Sequence, residues 1–172
     1  MTSIKLLTLI PMTVAALAWA VVNPAEAQAP ADDAVTTVQR LYRDYAWELL
    51  FRSPPRHWRA LIDEPPEVLG KYFDDRLTNL IVRDRNCVAR TGGECNIDGS
   101  PIWVSNDPEA AELEIEATKD STLVLATFKR YYPAPQGSRV TLHYRMSRTS
   151  AGWRIADIMH GETSILARLQ GK

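Results

Sequence analysis

A stretch of alternating residues near the end of the chain constrains the fold most. Residues 139–147 carry Val, Leu, Tyr and Met at every second position, and a polar turn at 148–152 leads into a second apolar run. Alternation with a period of two is typical of a strand with one buried face. Two such runs joined by about five residues that include Gly predict a β-hairpin, which needs a cover on its apolar face.

The second strand of this hairpin breaks its own alternation. Strict alternation would place Asp157 on one face with Trp153 and Ile155, so that a carboxylate lies beside two apolar side chains. One extra residue near Ala156 would instead bring Trp153, Ile155 and Ile158 to the same face. The sequence therefore predicts a β-bulge at this point, and bulges of this kind curve a sheet.

Three helical segments are predicted before the sheet. Apolar residues recur at spacings of three and four over residues 35–51 and again over 68–81, and a shorter helix or turn is expected at 56–62. Ser53-Pro54-Pro55 stops the first helix, and the third should end near Arg83. Helices followed by at least four strands predict an α+β domain with an antiparallel sheet.

The N-terminal region has the pattern of an export signal. Lys5 precedes a largely apolar run that is short for a membrane-spanning helix, and Ala25-Glu26-Ala27 matches a small-residue cleavage site. We therefore interpret residues 1–27 as a signal peptide, 28–33 as a flexible leader and 34–170 as a single domain. No transmembrane anchor is expected after cleavage, and the expected location is the periplasm or outside the cell.

The chain has two cysteines, Cys87 and Cys95, at the start of a segment rich in turn residues. A close pair in an exported chain is typical of a structural disulfide. A redox pair and half of a metal site are the alternatives, but redox motifs favour Cys-x-x-Cys, and no second Cys or His pair completes a zinc site. We predict a disulfide that pins a long loop over residues 84–109, with a short strand near 102–104.

Two signatures together resemble a known bacterial family. One is the strand at 152–158 with the segment 161–169 behind it; the other is the third helix followed by the disulfide loop and Asp98-Gly99-Ser100-Pro101-Ile102. They resemble domain-of-unknown-function family 3828, which is similar to the nuclear-transport-factor-2-like, or cystatin-like, superfamily. The resemblance covers about residues 35–169 and implies an α+β roll, with N-terminal helices packed on a strongly curved antiparallel sheet. The family has no catalytic residues to carry over. The superfamily includes isomerases, dehydratases and proteins that only bind ligands or partners, so the fold alone does not choose among these activities.

Candidates for chemistry are few. Asp157, a carboxylate at the predicted bend, is the one catalytic candidate, since a carboxylate beside an apolar interior can act as a base with a tyrosine as its partner. His57, His143 and His160 lack metal-site spacing, so we expect no metal and no cofactor. The run from Glu94 to Gly99 begins like a calcium loop but lacks the terminal Glu, which favours a plain turn.

Charge and composition favour a binding role. The formal net charge of −1 argues against a nucleic-acid partner. We predict a non-enzymatic envelope protein that binds a partner protein or a small apolar ligand between helices and sheet, with the disulfide loop as the rim. The alternatives are an isomerase- or dehydratase-type enzyme that uses Asp157 with a tyrosine, and an inhibitor or immunity-type protein with a flat binding face. The expected lining of the cavity is Tyr42, Tyr45, Leu69, Phe73, Tyr144, Trp153 and Ile155.

Two charged clusters stand beside these candidates. Arg83, Asp84 and Arg85 at the predicted end of the third helix form one cluster with Arg90, which the favourable position of cations near a helix C-terminus explains. A surface for an acidic ligand or partner is the alternative. The run 129–132, Lys-Arg-Tyr-Tyr, combines charge with aromatic side chains, as protein interfaces do. We interpret this second cluster as a protein contact.

Overall fold

Helices come first in the chain and strands follow. The computed structural model describes residues 33–50, 55–106, 109–132 and 137–171, so the predicted signal peptide and all of the leader except Asp33 lie outside it. The helices are α1 (Ala34–Tyr45), α2 (Pro66–Leu69) and α3 (Asp75–Thr91), with 3₁₀ turns at Ala46–Leu49 and Leu61–Asp63.

The second half of the chain forms a five-stranded sheet. Its strands are β1 (Glu109–Ala117), β2 (Leu123–Tyr132), β3 (Ser138–Thr149), β4 (Gly152–His160) and β5 (Thr163–Ser164), and each is antiparallel to the next in chain order. A short helix, α4 (Ile165–Leu169), ends the fold. The predicted α+β class, with helices packed on an antiparallel sheet, is confirmed.

α1 lies across the sheet because one of its faces is apolar. Asp33 begins the helix by accepting a hydrogen bond from the Thr36 amide at 2.6 Å. Val38, Leu41 and Tyr42 are buried at helical spacing, and the helix contacts β1, β2 and β4. This face of α1 and the concave face of the sheet enclose most of the core.

The predicted third helix is two helices. α2 ends at Leu69 and is followed by a turn over residues 70–72, after which Phe73 makes a parallel bridge to Ile155 of β4. The Ile155 amide donates to the Tyr72 carbonyl at 2.8 Å, and the Asp74 amide donates to the Ile155 carbonyl at 3.0 Å. This backbone pairing interrupts the helix at Phe73 and Asp74, where the apolar spacing predicted an unbroken helix.

α3 is longer than predicted. Asp74 starts it by accepting from the Leu77 amide at 2.8 Å, and it continues past Arg83 to Thr91. Gly92 ends it in the left-handed region, at φ 68°, which is the usual role of glycine after a helix. Cys87 therefore lies within the last turns of a helix, and only Cys95 lies in the loop.

The bulge predicted in β4 is confirmed. Arg145 pairs with Asp157 and Met146 pairs with Ile155, which leaves Ala156 as the extra residue. Ile155 and Ile158 are consequently both buried on the concave face, while Asp157 belongs to the opposite face.

A second bulge lies in β1, where the alternation of Leu113, Ile115 and Ala117 with three glutamates predicts one buried and one solvated face. It lies between Ala111 and Glu114, and Glu112 adopts a φ of 55° there. Leu113, which alternation places inside, is 38% exposed as a result. Bulges near both edges of the sheet add to its curvature.

Candidate functional site

The concave face of the sheet is filled by part of the disulfide loop. Residues 100–105, which we name the inserted turn, push Ile102 and Trp103 between α1 and the sheet, where Ile102 is fully buried and Trp103 is 2% exposed. The Trp103 ring meets Tyr42 edge-on at 4.9 Å between centroids and Phe128 at 5.5 Å. The chain's own side chains thus occupy the space in which a ligand cavity was expected.

The base of this loop is fixed to α3 at two points. The predicted disulfide joins Cys87 and Cys95, whose Cα atoms are 6.2 Å apart. Asp84, buried beside it, accepts hydrogen bonds from the Asn96 amide at 2.9 Å, the Asn96 side chain at 2.7 Å and the Ile97 amide at 3.1 Å. The carboxylate of the predicted charged cluster therefore positions the loop.

The inserted turn closes through its own backbone. The Val104 amide donates to the Ser100 carbonyl at 2.8 Å, and the Ser100 amide donates to the Ser105 carbonyl at 3.0 Å. Val104 has a φ of 54°, a conformation that costs a β-branched residue about 1–3 kcal/mol. The strand expected at 102–104 is thus a strained turn. Gly99, at φ 77°, is required before it because any Cβ there would overlap the Asn106 side chain.

A chain of hydroxyl groups joins the sheet to the inserted turn. Tyr144 donates to the Tyr42 hydroxyl at 2.8 Å, and Tyr42 donates to the Ile102 carbonyl at 3.0 Å. Burial raises the pKa of both tyrosines, so both remain neutral at physiological pH. Each hydroxyl proton already has an acceptor, which leaves neither free to stabilise an oxyanion.

Asp157 holds the last helix in place. Its carboxylate, 5% exposed, accepts from the Ser164 hydroxyl at 2.7 Å and from the Leu166 amide at 3.0 Å. It lies on the opposite face of β4 from Ile158, which is the register partner of Tyr144. The structure therefore does not bring the Asp157 carboxylate together with the Tyr42–Tyr144 pair.

The seven residues expected to line a cavity are mostly core residues. Six are buried, and Trp153 is half-buried at the start of β4, where the Arg148 guanidinium lies 5.4 Å from its ring centroid. Because Ile102 and Trp103 fill the concavity, the two clefts beside the inserted turn are lined by other residues. The six buried ones are Tyr42, Tyr45, Leu69, Phe73, Tyr144 and Ile155.

One open cleft lies between the inserted turn and the end of the β3–β4 hairpin. We name it the sheet-end cleft; its volume is about 530 Å³. Its floor is apolar, formed by Leu142, Ile158 and Ile165, and His160 and Arg168 carry the polar groups on the side of the last helix. The full lining is Ile97, Asp98, Ser100, Pro101, Val104, Ser105, Asn106, Leu142, Ile158, His160, Thr163, Ile165 and Arg168.

A second cleft lies on the other side of the inserted turn. It has a volume of about 440 Å³, and we name it the tryptophan cleft because Trp47 and Trp58 line it, with ring centroids 5.3 Å apart. Leu61 and Ile62 add apolar surface. Ser100, Pro101, Ser105 and Asn106 line both clefts, so the inserted turn is the wall between them.

Glu48 connects this wall to the end of the first helical segment. Its carboxylate accepts from the Leu61 amide at 2.9 Å and from the Ser100 hydroxyl at 2.7 Å. Burial raises the pKa of Glu48, the two hydrogen bonds oppose that effect, and the nearby charge of Asp63 adds to it. Glu48 is half-buried and belongs to no sequence motif, so the sequence gives no sign of this contact.

Arg130 contacts the inserted turn from the sheet. The guanidinium donates to the Val104 carbonyl at 3.1 Å, and its neighbour Lys129 pairs with Glu112 at 2.7 Å. Tyr131 is 36% exposed. Part of the cluster predicted as a protein contact is therefore engaged within the chain.

The histidines do not converge. His143 pairs with Met159 and Leu142 pairs with His160, so the two histidines point to opposite faces of the hairpin. Within the described ranges, His, Cys, Asp and Glu side chains form no group of three or more that is arranged to hold a metal ion. No helix among those same residues is long and apolar enough to cross a membrane.

Comparison with known proteins gives little further information. No family model matches the chain, and no curated protein matches it. One solved structure, a phospholipid-binding protein from Ralstonia solanacearum in complex with a phospholipid, is similar at 14% sequence identity and a TM-score of 0.45, covering 81% of this chain and 84% of that one. Phospholipid binding is reported for that protein.

Proposed function

We propose that the chain is an exported, non-enzymatic binding module of the bacterial envelope that takes a small amphipathic ligand in the sheet-end cleft. The observation that carries the proposal is the cleft itself, whose volume of about 530 Å³ lies in the range of small-molecule sites. Its apolar floor suits a hydrocarbon portion, and Arg168 on α4 suits an anionic group, whereas Asp98 adds a carboxylate to the lining from the loop.

The two ends of the cleft differ in charge and polarity. Leu142 and Ile158 form the buried floor on the sheet, and Ile165 covers it from α4. Arg168 is exposed, and its guanidinium has no carboxylate within salt-bridge distance in the described part of the chain. A ligand lying with its apolar end on the floor would place a negative head group near Arg168.

Export, superfamily membership and the non-enzymatic role are each supported by a separate observation. The Cys87–Cys95 disulfide is consistent with an extracellular or periplasmic location. The order of helices, disulfide loop and curved antiparallel sheet supports membership in the nuclear-transport-factor-2-like superfamily, and family 3828 within it. The bonds made by Asp157, Tyr42 and Tyr144 favour binding over the isomerase or dehydratase alternative.

A titration with dodecanoate, a single-chain anionic amphiphile, tests the proposal. We expect saturable binding by isothermal titration calorimetry, with a negative heat-capacity change because apolar surface is buried. Ile165→Asp should weaken binding at least about tenfold, since it puts a carboxylate against the apolar chain at a helix start that accepts Asp. Leu113→Asp, the same type of change on β1 outside both clefts, is the matched control and should leave binding unchanged.

Two outcomes would contradict this function. One is the absence of saturable heat with dodecanoate. The other is an equal loss of affinity in Ile165→Asp and Leu113→Asp, which would place the bound chain outside the sheet-end cleft.

A further inference from the structure

The inserted turn separates two clefts that would otherwise be one space. Its residues Ser100, Pro101 and Ser105 face both the sheet-end cleft of about 530 Å³ and the tryptophan cleft of about 440 Å³. Between them Ile102 and Trp103 pass into the core. A movement of this one turn would therefore join the two clefts.

The seated turn carries two local costs. Val104 holds a φ of 54°, which a β-branched residue rarely adopts. The indole nitrogen of Trp103 is buried, and none of the residues that the structure describes accepts a hydrogen bond from it. Both costs are removed when the turn leaves its seat, because the backbone can relax and the indole N–H can reach water.

Side chains from three other elements make hydrogen bonds to the inserted turn. Glu48 accepts from the Ser100 hydroxyl, Tyr42 donates to the Ile102 carbonyl, and Arg130 donates to the Val104 carbonyl. Ile102 and Trp103 add apolar contact with the core. An apolar ligand can replace such contact because the hydrophobic effect is not directional.

We propose that the inserted turn is a displaceable partition: a single-chain amphiphile longer than the sheet-end cleft moves Trp103 out of the core and joins the two clefts into one site. This inference rests on the proposed function, since it describes how the same site adapts to ligand length. Hydrocarbon takes the place of the indole against Tyr42 and Phe128, and the disulfide and Asp84 keep the base of the loop attached to α3.

Hydrogen exchange of two backbone amides reports on the turn. The Val104 and Ser100 amides are bonded only within the seated turn, to the Ser100 and Ser105 carbonyls. At saturating dodecanoate we expect both to exchange at least about tenfold faster than in the free protein, while amides of the β3–β4 ladder do not. Hexanoate, whose chain has half as many carbon atoms, should leave both amides protected.

A variant tests the same idea without relying on exchange. Ser100→Ala removes the hydroxyl that Glu48 binds, so displacement becomes easier and the dodecanoate affinity should rise by up to about tenfold relative to the hexanoate affinity of the same variant. Hexanoate is the reference because Ser100 also lines the sheet-end cleft, and loss of its hydroxyl there acts on both ligands. Ser121→Ala, a serine-to-alanine change in the exposed turn before β2, is the control and should alter neither affinity.

The partition and the binding function can fail separately. Dodecanoate that binds with both turn amides still protected, or with the same affinity relative to hexanoate for Ser100→Ala and the wild type, overturns the partition and leaves the binding function in place. Failure of both fatty acids to bind overturns the function and the partition together.

Discussion

The β3–β4 hairpin and the inserted turn both bury large side chains on the same concave face, but they are held differently. In the hairpin, backbone pairing fixes each residue, so that Tyr144 lies opposite Ile158. In the turn, Trp103 is equally buried, yet the residues on either side are held by side chains of other elements: Glu48 accepts from the Ser100 hydroxyl and Arg130 donates to the Val104 carbonyl. Two equally buried side chains can thus differ in how readily they leave the core, and the two regions should respond differently to the same perturbation.

The largest expected effect distinguishes two tryptophans. Trp103→Ala should lower the free energy of unfolding by about 3–5 kcal/mol, because it empties a fully packed site. Trp153→Ala, at the start of the hairpin, should cost about 1–2 kcal/mol, since that ring is half-buried and touches Arg148. Urea denaturation of both variants measures the difference, and a larger loss for Trp153→Ala would contradict the assigned core.

Removal of the disulfide comes next. The double variant Cys87→Ser, Cys95→Ser should lose about 2.5 kcal/mol, the entropy of closing a nine-residue loop in the unfolded chain. The loss should be accompanied by faster hydrogen exchange of the Val104 amide in the native state, with hairpin amides still limited by global unfolding. Equal acceleration in both regions would show that the loop and hairpin open as one unit.

The buried carboxylate at the base of the loop has a smaller effect. Asp84→Asn should cost about 1–2 kcal/mol, because the amide keeps one acceptor oxygen but turns a donor toward the amides of Asn96 and Ile97. Thermal unfolding measures the loss, and Asp75→Asn on the first turn of the same helix is the exposed control. A control that loses as much as Asp84→Asn would remove the loop contacts as the explanation.

The smallest effect is a pH dependence that originates in Glu48. The pKa of Glu48 is raised in the folded state by burial, so the folded chain binds this proton more tightly than the unfolded chain does. Stability should therefore fall as pH rises from the ordinary value of 4.5 through the raised pKa. Glu48→Gln, which keeps an acceptor for Leu61, should flatten this part of the curve, and an unchanged slope would contradict the assignment.

The two regions also differ in how far the sequence predicted them. Alternation in β3 and the broken phase at Asp157 were sufficient for the hairpin and its bulge, because register is a local property of side chains with period two. Turn residues around Ile102 and Trp103 carry no such period. Their burial depends on Tyr42 and Phe128, which come from distant parts of the chain, and no local rule reports on that contact.

The site was missed for the same reason. The apolar spacing correctly predicted that Tyr42 and Tyr144 are buried. They were expected to line a cavity because the course of the loop that fills it cannot be read from the sequence. One signal was present: Ile102, Trp103 and Val104 form the single apolar cluster in a run of Gly, Asn, Asp and Pro. An apolar cluster in a loop pinned by a disulfide predicts a segment that packs inward.

The central claim is that Trp103 occupies the concave interior in the free protein and leaves it when a long amphiphile binds. Fluorine NMR of the full chain labelled with fluorotryptophan tests both halves, because Trp103→Phe assigns the Trp103 signal among the five tryptophans. We predict that this signal shows no shift between H₂O and D₂O in the free protein and acquires the full solvent shift with dodecanoate. A Trp103 signal that is solvent-exposed in the free protein, or still shielded when dodecanoate is bound, would contradict the account.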